Sequence, residues 1–593
     1  MDTATENGEV AFASSGSKLV DLFYSCVRTM DKHTTPIKNK THSGSDDGSE
    51  NGSENESESG SKKNKKPRVT YTLNFDVEAK ILRLFAESYK VNPINTLKIL
   101  FYTRDPRGGK GEKDITFSIL SYLHLQCPKT YHSNVIKLIK DYGCAKDFKK
   151  IINIIGIEGS QPEIQHYAET LQNDYKIVQK YNAKILSNDA KISKNDANIV
   201  DIAEKIPKRE AISLYAKYAP KQHKKTVFYL HLRDYMFPSQ QSPVNKSHYQ
   251  GDKLYRQMIS KINRYLDVVE CKMSSKSWSD IKYSAVPSQA MRIYGKGSTH
   301  RGLQKSGAFE RHDKDRFSEW KTDVASGKSK INATGIDPHQ LVEPYMNSQS
   351  GTTINDVAEL QWTEMIKKLK SADGSESATN VTNVMKNSYA VVDVSGSMSG
   401  QPMTVAVALG LIVYEISGHD PITFSSNPSF HSLTGATTLY DKVHRLVRAD
   451  WGQSTNFDAT LKLILDTEIA NKTKNETGIT LFVFSDMQFD QASGENNKKI
   501  SKETIHEKYQ RLFRANGLVP PKIVYWNLRN TTSGKGNEIC CPVTVDSNGT
   551  ALVSGFSAEL LKCFMTCSDF NPLNIVLNAI EKYEVVVDPT EHF

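Results

Sequence analysis

Three short runs in the last third of the chain restrict its fold more than any other feature. Ser388-Tyr-Ala-Val-Val-Asp393, Ile479-Thr-Leu-Phe-Val-Phe-Ser485 and Lys522-Ile-Val-Tyr-Trp-Asn527 are apolar and β-rich, without the polar alternation of a half-solvated strand. Strands of that kind are buried on both faces, which requires helices above and below a mostly parallel sheet. The intervening segments supply them: Pro402–Ile416, Leu439–Val447 and Phe457–Leu465 read as helices, Ile422–Phe424 as a further strand, and Asn571–Lys582 as a closing helix. Val543–Val545 and Ala551–Val553 add edge material. The region from 386 to 593 is expected to be an α/β doubly wound, Rossmann-like domain.

In such sheets ligands lie beyond the carboxyl ends of the strands, near the point where strand order reverses. Three loops there carry hard oxygen donors. The first run ends in Asp393-Val-Ser395-Gly-Ser397-Met-Ser-Gly, so a carboxylate and two alternate hydroxyls turn to one point. Gly452-Gln-Ser-Thr455 offers a third hydroxyl before a helix, and Phe484-Ser485-Asp486 a second carboxylate. Asp393, Ser395, Ser397, Thr455 and Asp486, completed by water, form an all-oxygen shell suited to Mg²⁺ or Mn²⁺ rather than zinc. An isolated Asp–Ser turn would merely cap a helix; its conjunction with the other two loops favours metal. In these motifs the chain resembles the von Willebrand A family, in which five such ligands form a metal-ion-dependent adhesion site. The resemblance covers about Lys386 to Phe593. It implies a six-stranded, mainly parallel sheet and an open metal position for an acidic group on a protein partner.

Upstream the periodicity is helical. Val77, Ile81, Leu84, Phe85 and Tyr89 share one face, and apolar stripes recur through Leu97–Phe101, Ile115–Leu123, Val135–Ile139, Pro162–Ala190, Val200–Ala203, Ala211–Ala216 and Tyr255–Met273. Residues 69–385 are expected to form an all-α, helical-repeat-like body, with an irregular insert at 295–378 containing helical islands at Ala308–Trp320 and Ile354–Leu369. The Ile354–Leu369 island is amphipathic, and no Pro- or Gly-rich hinge directly precedes Asn387. The two halves are therefore expected to dock, with both islands in or near the contact.

The turn Thr103-Arg-Asp-Pro-Arg-Gly-Gly-Lys-Gly-Glu-Lys113 lies between two helices of this body. Together with Tyr142-Gly-Cys-Ala-Lys-Asp147-Phe, Leu214-Tyr-Ala-Lys-Tyr-Ala-Pro220 and Phe309-Glu-Arg-His-Asp-Lys-Asp-Arg316-Phe, it resembles a domain-of-unknown-function family coupling a helical body to a von Willebrand A domain, with eukaryotic and large-DNA-virus members. The same layout is similar to the Ro/TROVE proteins, and that similarity implies binding of structured RNA. Arg104, Arg107 and Lys110 then become candidate phosphate contacts. The competing reading is an interhelical turn whose arginines pair with Asp105, Glu112 or Asp114. The order of residues is not that of a P-loop, and no strand precedes it. Arg311-His312-Asp313 has no accompanying nucleophile, and no catalytic constellation emerges, so a non-enzymatic binding scaffold is expected, with a purely protein-directed adaptor or structural component as the alternative.

Residues 1–68 are expected to be a largely disordered acidic and basic tail. From Lys32 to Lys66 there is almost nothing apolar, and ordering such a segment costs about 1–2 kcal/mol per residue of backbone entropy. Within this tail, Lys18–Arg28 reads as one short amphipathic helix, with Leu19, Leu22, Phe23 and Val27 at helical spacing. The 593-residue chain carries 76 Lys and Arg against 67 Asp and Glu, an excess of nine that permits an anionic partner without requiring one. The eight scattered cysteines, among them Cys540, Cys541, Cys563 and Cys567, lack zinc-site spacing and suit a reducing compartment. With neither a secretory signal nor a bilayer-spanning run, the expected location is cytoplasmic, not secreted. The Lys62–Arg68 basic block makes nuclear import an alternative, and virion association is another. No membrane partner is expected.

Overall fold

The computed structural model describes residues 3–4, 10–27, 31–34, 69–72, 75–192, 210–224, 226–238, 247–296, 298–300, 303–346, 354–370, 385–424, 428–448, 456–471, 478–487, 489, 505–529, 541–561, 564 and 570–593. Residues 35–68, Val200–Ala203, Thr455 and the cysteines at 540, 563 and 567 lie outside the described residues, and so do the expectations that fall on them.

The helical body begins with Phe75–Val91, Pro93–Arg104, Asp114–Gln126, Pro128–Tyr142 and Ala145–Ile155, followed by the long helix Gln161–Ile192. Local chemistry sets the corners. Asn92 accepts the backbone N–H of Asn95 at 3.0 Å, and Pro93 occupies the first helical turn, where a missing N–H costs nothing. Gly156, at φ +89°, ends the Ala145–Ile155 helix in a conformation that favours glycine. Where one helix was expected over Tyr255–Met273 there are two, Ser247–Tyr265 and Val269–Ser274. Of the expected Ala211–Ala216 stretch only Tyr215 and Ala216 are helical, in the short helix Tyr215–Tyr218, because the Ser213 backbone N–H and hydroxyl both bind Asp174, at 3.2 and 2.5 Å, and hold the chain open.

The segment 295–378 is more ordered than its composition suggests. Ala308–His312, Lys314–Ala325, His339–Met346 and Asp356–Lys370 are helices. Phe309, Phe317 and Trp320 join Val269, Ile281, Tyr283, Met291, Ile331 and Val357 in a small core of their own.

In the C-terminal domain the strands are β1 (Ser388–Asp393), β2 (Ile422–Phe424), β3 (Ser429–Phe430), β4 (Thr480–Ser485), β5 (Lys522–Asn527) and β6 (Thr550–Ser554). They form one sheet in the order β6-β5-β4-β1-β2-β3, parallel except for the edge strand β3. Every residue of β4 is buried. The helix Gln401–Ser417 lies across β1, and Gly410 permits the approach, since a Cβ there would sit 2.5 Å from Val392 Cγ2. Val543–Val545, expected as edge strand, is instead held against the N-terminal segment, with Val545 N–H bonded to Ser15 O at 2.8 Å.

Three devices join the halves. The Asp356–Lys370 helix places Glu359 at the start of the Leu439–Val447 helix, where its carboxylate accepts the N–H groups of Leu439 (2.7 Å) and Tyr440 (3.0 Å). Trp362 Nε1 donates to Glu415 at 3.2 Å beside it. The Ala308–Trp320 stretch lies behind this helix, with Phe317 and Val357 in the small core, rather than in the contact with the C-terminal domain. Its aromatic rings find their partners within the module, so the stretch lies near the contact, against the linker helix, and not in it.

The second device is the helix Lys18–Ser25. Val20, Leu22, Phe23, Tyr24, Cys26 and Val27 are all buried, between β6, the Pro572–Ile580 helix and the first two helices of the body. Burial on that scale contributes about 1.5–3 kcal/mol for each large apolar side chain. The third is the C-terminal strap after Ile580. Asn134 exchanges hydrogen bonds with the Val586 backbone at 2.6 and 3.0 Å, and Glu591 accepts the N–H groups of Lys129 and Thr130, both at 2.8 Å. Phe593 inserts among Phe85, Tyr89 and Tyr122.

Candidate metal centre

Strand order reverses between β1 and β4, so their carboxyl ends define the crevice in which ligands of such sheets sit. Asp393 is the last residue of β1 and Asp486 follows β4; both are buried. Asp393 Oδ1 accepts the Ser395 N–H at 2.9 Å, and its Oδ2 accepts the Ser485 hydroxyl at 2.5 Å. Those two bonds fix the carboxylate across the strand ends. Ser395 Oγ lies 3.0 Å from Ser397 Oγ, and Ser397 opens onto the surface. Gly400, at φ +98°, lets the loop turn into the Gln401–Ser417 helix.

The two carboxylates oppose one another electrostatically. Burial first, and then the negative charge of Asp486, push the Asp393 carboxyl up to about 7, against the downward pull of the bonds from Ser395 and Ser485. Two buried acids facing one another favour a proton or a cation between them. Four of the five expected ligands thus belong to one locality: Asp393, Ser395 and Ser397 on the loop after β1, and Asp486 after β4. Thr455 lies outside the described residues. The donor chemistry, carboxylates and hydroxyls without thiolate or imidazole, fits Mg²⁺ or Mn²⁺.

Two residues of this locality escaped sequence reasoning. Ser485 orients Asp393, and its position beside Asp486 at a strand end was the available signal. Arg529, two residues past β5, donates from Nη1 to Ser397 O at 2.6 Å. No motif marks it, because β5 and β1 are brought together only by the sheet order.

The Arg-Asp-Pro-Arg-Gly-Gly-Lys-Gly-Glu turn has a different setting from the one expected. Arg104 is 1% exposed and forms a buried ion pair with Asp147, its Nε 2.8 Å from Oδ2. Lys110 is equally buried. Its ammonium binds the carbonyls of Phe23 and Cys26 and, at 2.7 Å, the Ser554 hydroxyl. Burial lowers Lys110 to about 8. Asp105 receives the Tyr583 hydroxyl at 3.0 Å. Gly109 is obligatory here, since a Cβ would meet Tyr102 O at 2.1 Å. The turn therefore ties the N-terminal helix, the body and β6 together. Arg104 and Lys110 cannot reach a phosphate, and the expectation that they contact RNA is corrected. Arg107 alone is exposed, with Nη1 3.3 Å from Asp141 O. The competing reading foresaw a structural turn, but Arg104 pairs with Asp147 rather than with the nearer acids.

Residues 71–191 and 164–374 match a family model described as domain of unknown function DUF2828, and residues 387–588 match domain of unknown function DUF7788. The chain is 35% identical over 523 residues to "Uncharacterized protein L728" of Acanthamoeba polyphaga mimivirus, an alignment covering 84% of this chain and 81% of that one. The chain belongs to the DUF2828 family. That family has a relative in a large DNA virus, and in this member the DUF2828 match takes in the body and the small helical module. The DUF7788 match opens one residue before β1 and takes in the whole sheet with the loops that carry Asp393, Ser395, Ser397 and Asp486. Among the described residues no helix is long and apolar enough to cross a membrane.

Proposed function

We propose that this DUF2828 protein is a non-enzymatic docking scaffold whose C-terminal domain is of von Willebrand A type and captures an acidic group of a protein partner through Mg²⁺ or Mn²⁺. The observation that carries this reading is the meeting of Asp393 and Asp486 at the switch point of the sheet, with Ser395 and Ser397 on the adjoining loop. Asp393, Ser395, Ser397 and Asp486 would hold the ion, and Thr455 completes the set in sequence. Bound there, the ion would supply a positive centre able to accept a carboxylate oxygen. The strand order, with one antiparallel edge strand, suits the same assignment.

The helical body serves as the mount. Glu359, the Lys18–Ser25 helix and the C-terminal strap hold the metal domain in a fixed relation to it. RNA binding by the body loses two of its three proposed contacts to burial, and is not carried further. Displayed peptides rich in Asp and Glu test the docking reading. The full chain should retain them in Mg²⁺, release them with a chelator, and fail to retain them as Asp393→Asn. Retention independent of metal would overturn it.

A further inference from the structure

Arg529 stands beside the loop after β1, and among the described residues most of its hydrogen-bonding capacity is unused. Its position is fixed from two sides. The preceding residue, Leu528, donates its N–H to Ser485 O at 3.0 Å, and the Arg529 N–H is held by Asn527 Oδ1 at 2.9 Å. Among the described residues its one side-chain hydrogen bond is from Nη1 to Ser397 O. Among the described residues Nε and Nη2 have no partner, and Arg529 is half-exposed beside the Ser397 carbonyl. A structural role alone, bracing the loop through one carbonyl, would be met by any single donor and would not call for a guanidinium.

We infer that Arg529 is a ligand-recognition residue that, with the metal, selects a single carboxylate group. This inference rests on the proposed metal reading. A divalent ion and the carboxylates of Asp393 and Asp486 cancel in charge, so Arg529 adds one positive charge to these described groups. A carboxylate neutralises it as a monoanion and offers two oxygens, one for the ion and one for the guanidinium fork. A phosphate monoester carries about 1.5–2 negative charges at neutral pH and overfills the same site. The carboxylate can come from an Asp or Glu side chain or from a chain terminus, and both present the same pair of oxygens.

The test uses Mn²⁺ bound to the full chain, followed by water-proton relaxation, with three probes that displace metal-bound water: N-acetylglutamate α-amide, N-acetylglutamine and inorganic phosphate. In the unmodified protein at least one carboxylate probe should displace water more readily than phosphate, and the better of the two identifies side-chain or terminal recognition. Arg529→Gln should keep its Mn²⁺ affinity within about threefold and require about tenfold more carboxylate, the loss of one charge-assisted bond. Arg529→Lys, which keeps the charge but not the fork, should lie between. Equal carboxylate affinity in Arg529→Gln, or phosphate binding more tightly than both carboxylates, overturns the inference while leaving the metal site standing. Loss of Mn²⁺ binding in Arg529→Gln reduces the residue to a loop brace and also overturns it. Absence of Mn²⁺ binding in the unmodified protein removes the metal reading itself, and this inference with it.

Discussion

Replacing Arg104 with Ala isolates the structural role of the Gly-rich turn. The guanidinium is 1% exposed, and its partner Asp147 accepts from Arg104 Nε at 2.8 Å and from the Cys144 N–H at 3.0 Å. After truncation the Asp147 carboxylate stays buried with the Cys144 bond but without its counter-charge. Breaking a buried pair on one side costs about 3–5 kcal/mol, a large share of a typical domain's stability. Arg107→Ala, three residues away and exposed, should change stability by less than about 0.5 kcal/mol. Urea unfolding followed by circular dichroism reads both variants. The double change Arg104→Met with Asp147→Leu should recover much of the loss, because replacing both charges removes the stranded carboxylate. An Arg104→Ala midpoint indistinguishable from the unmodified protein would refute the buried-pair reasoning.

Further expectations concern the crevice and the joints. Because the folded Asp393 carboxyl is raised from 3.8 to about 7, the folded metal-free protein holds a proton that the unfolded chain releases. Its contribution to stability is fully present below pH 4 and is lost as pH rises through 7. The rise in melting temperature given by Mg²⁺ should therefore grow from pH 5 to pH 8 in calorimetric scans; a pH-independent rise would contradict this. Removing Glu591–Phe593 strips two N–H bonds and an aromatic plug from the body, and should speed proteolysis between the halves; unchanged cleavage would count against the strap. Glu359→Ala should likewise loosen the linker by uncapping the Leu439–Val447 helix, at a cost of about 1 kcal/mol in urea unfolding.

The α/β domain was largely legible in the sequence because its signals are local. Residues 388–393, 422–424 and 522–527 form strands where the buried runs predict them, and Leu439–Val447 is a helix with the same ends. The loops after β1 and β4 were visible for the same reason, since the Asp-x-Ser-x-Ser spacing encodes a turn chemistry that needs no distant partner. What the sequence could not reveal depends on contacts across hundreds of residues. Lys110 meets Phe23 and Ser554, Asp105 meets Tyr583, and Arg529 meets Ser397. A basic residue on a Gly-rich turn has the same local appearance whether it faces a phosphate or a buried carbonyl. The aromatic positions of Ala308–Trp320 were similarly ambiguous, since an apolar stripe shows that a face is buried without showing against what.

Calorimetric titration of Mg²⁺ and Mn²⁺ into the full chain, beside Asp393→Asn, tests the central claim most directly. Asn keeps the size of the side chain and an acceptor for the Ser395 N–H, so the fold and its circular dichroism should persist. The account predicts weak single-site binding in the unmodified protein and none in Asp393→Asn. Undiminished metal binding in that variant would contradict it.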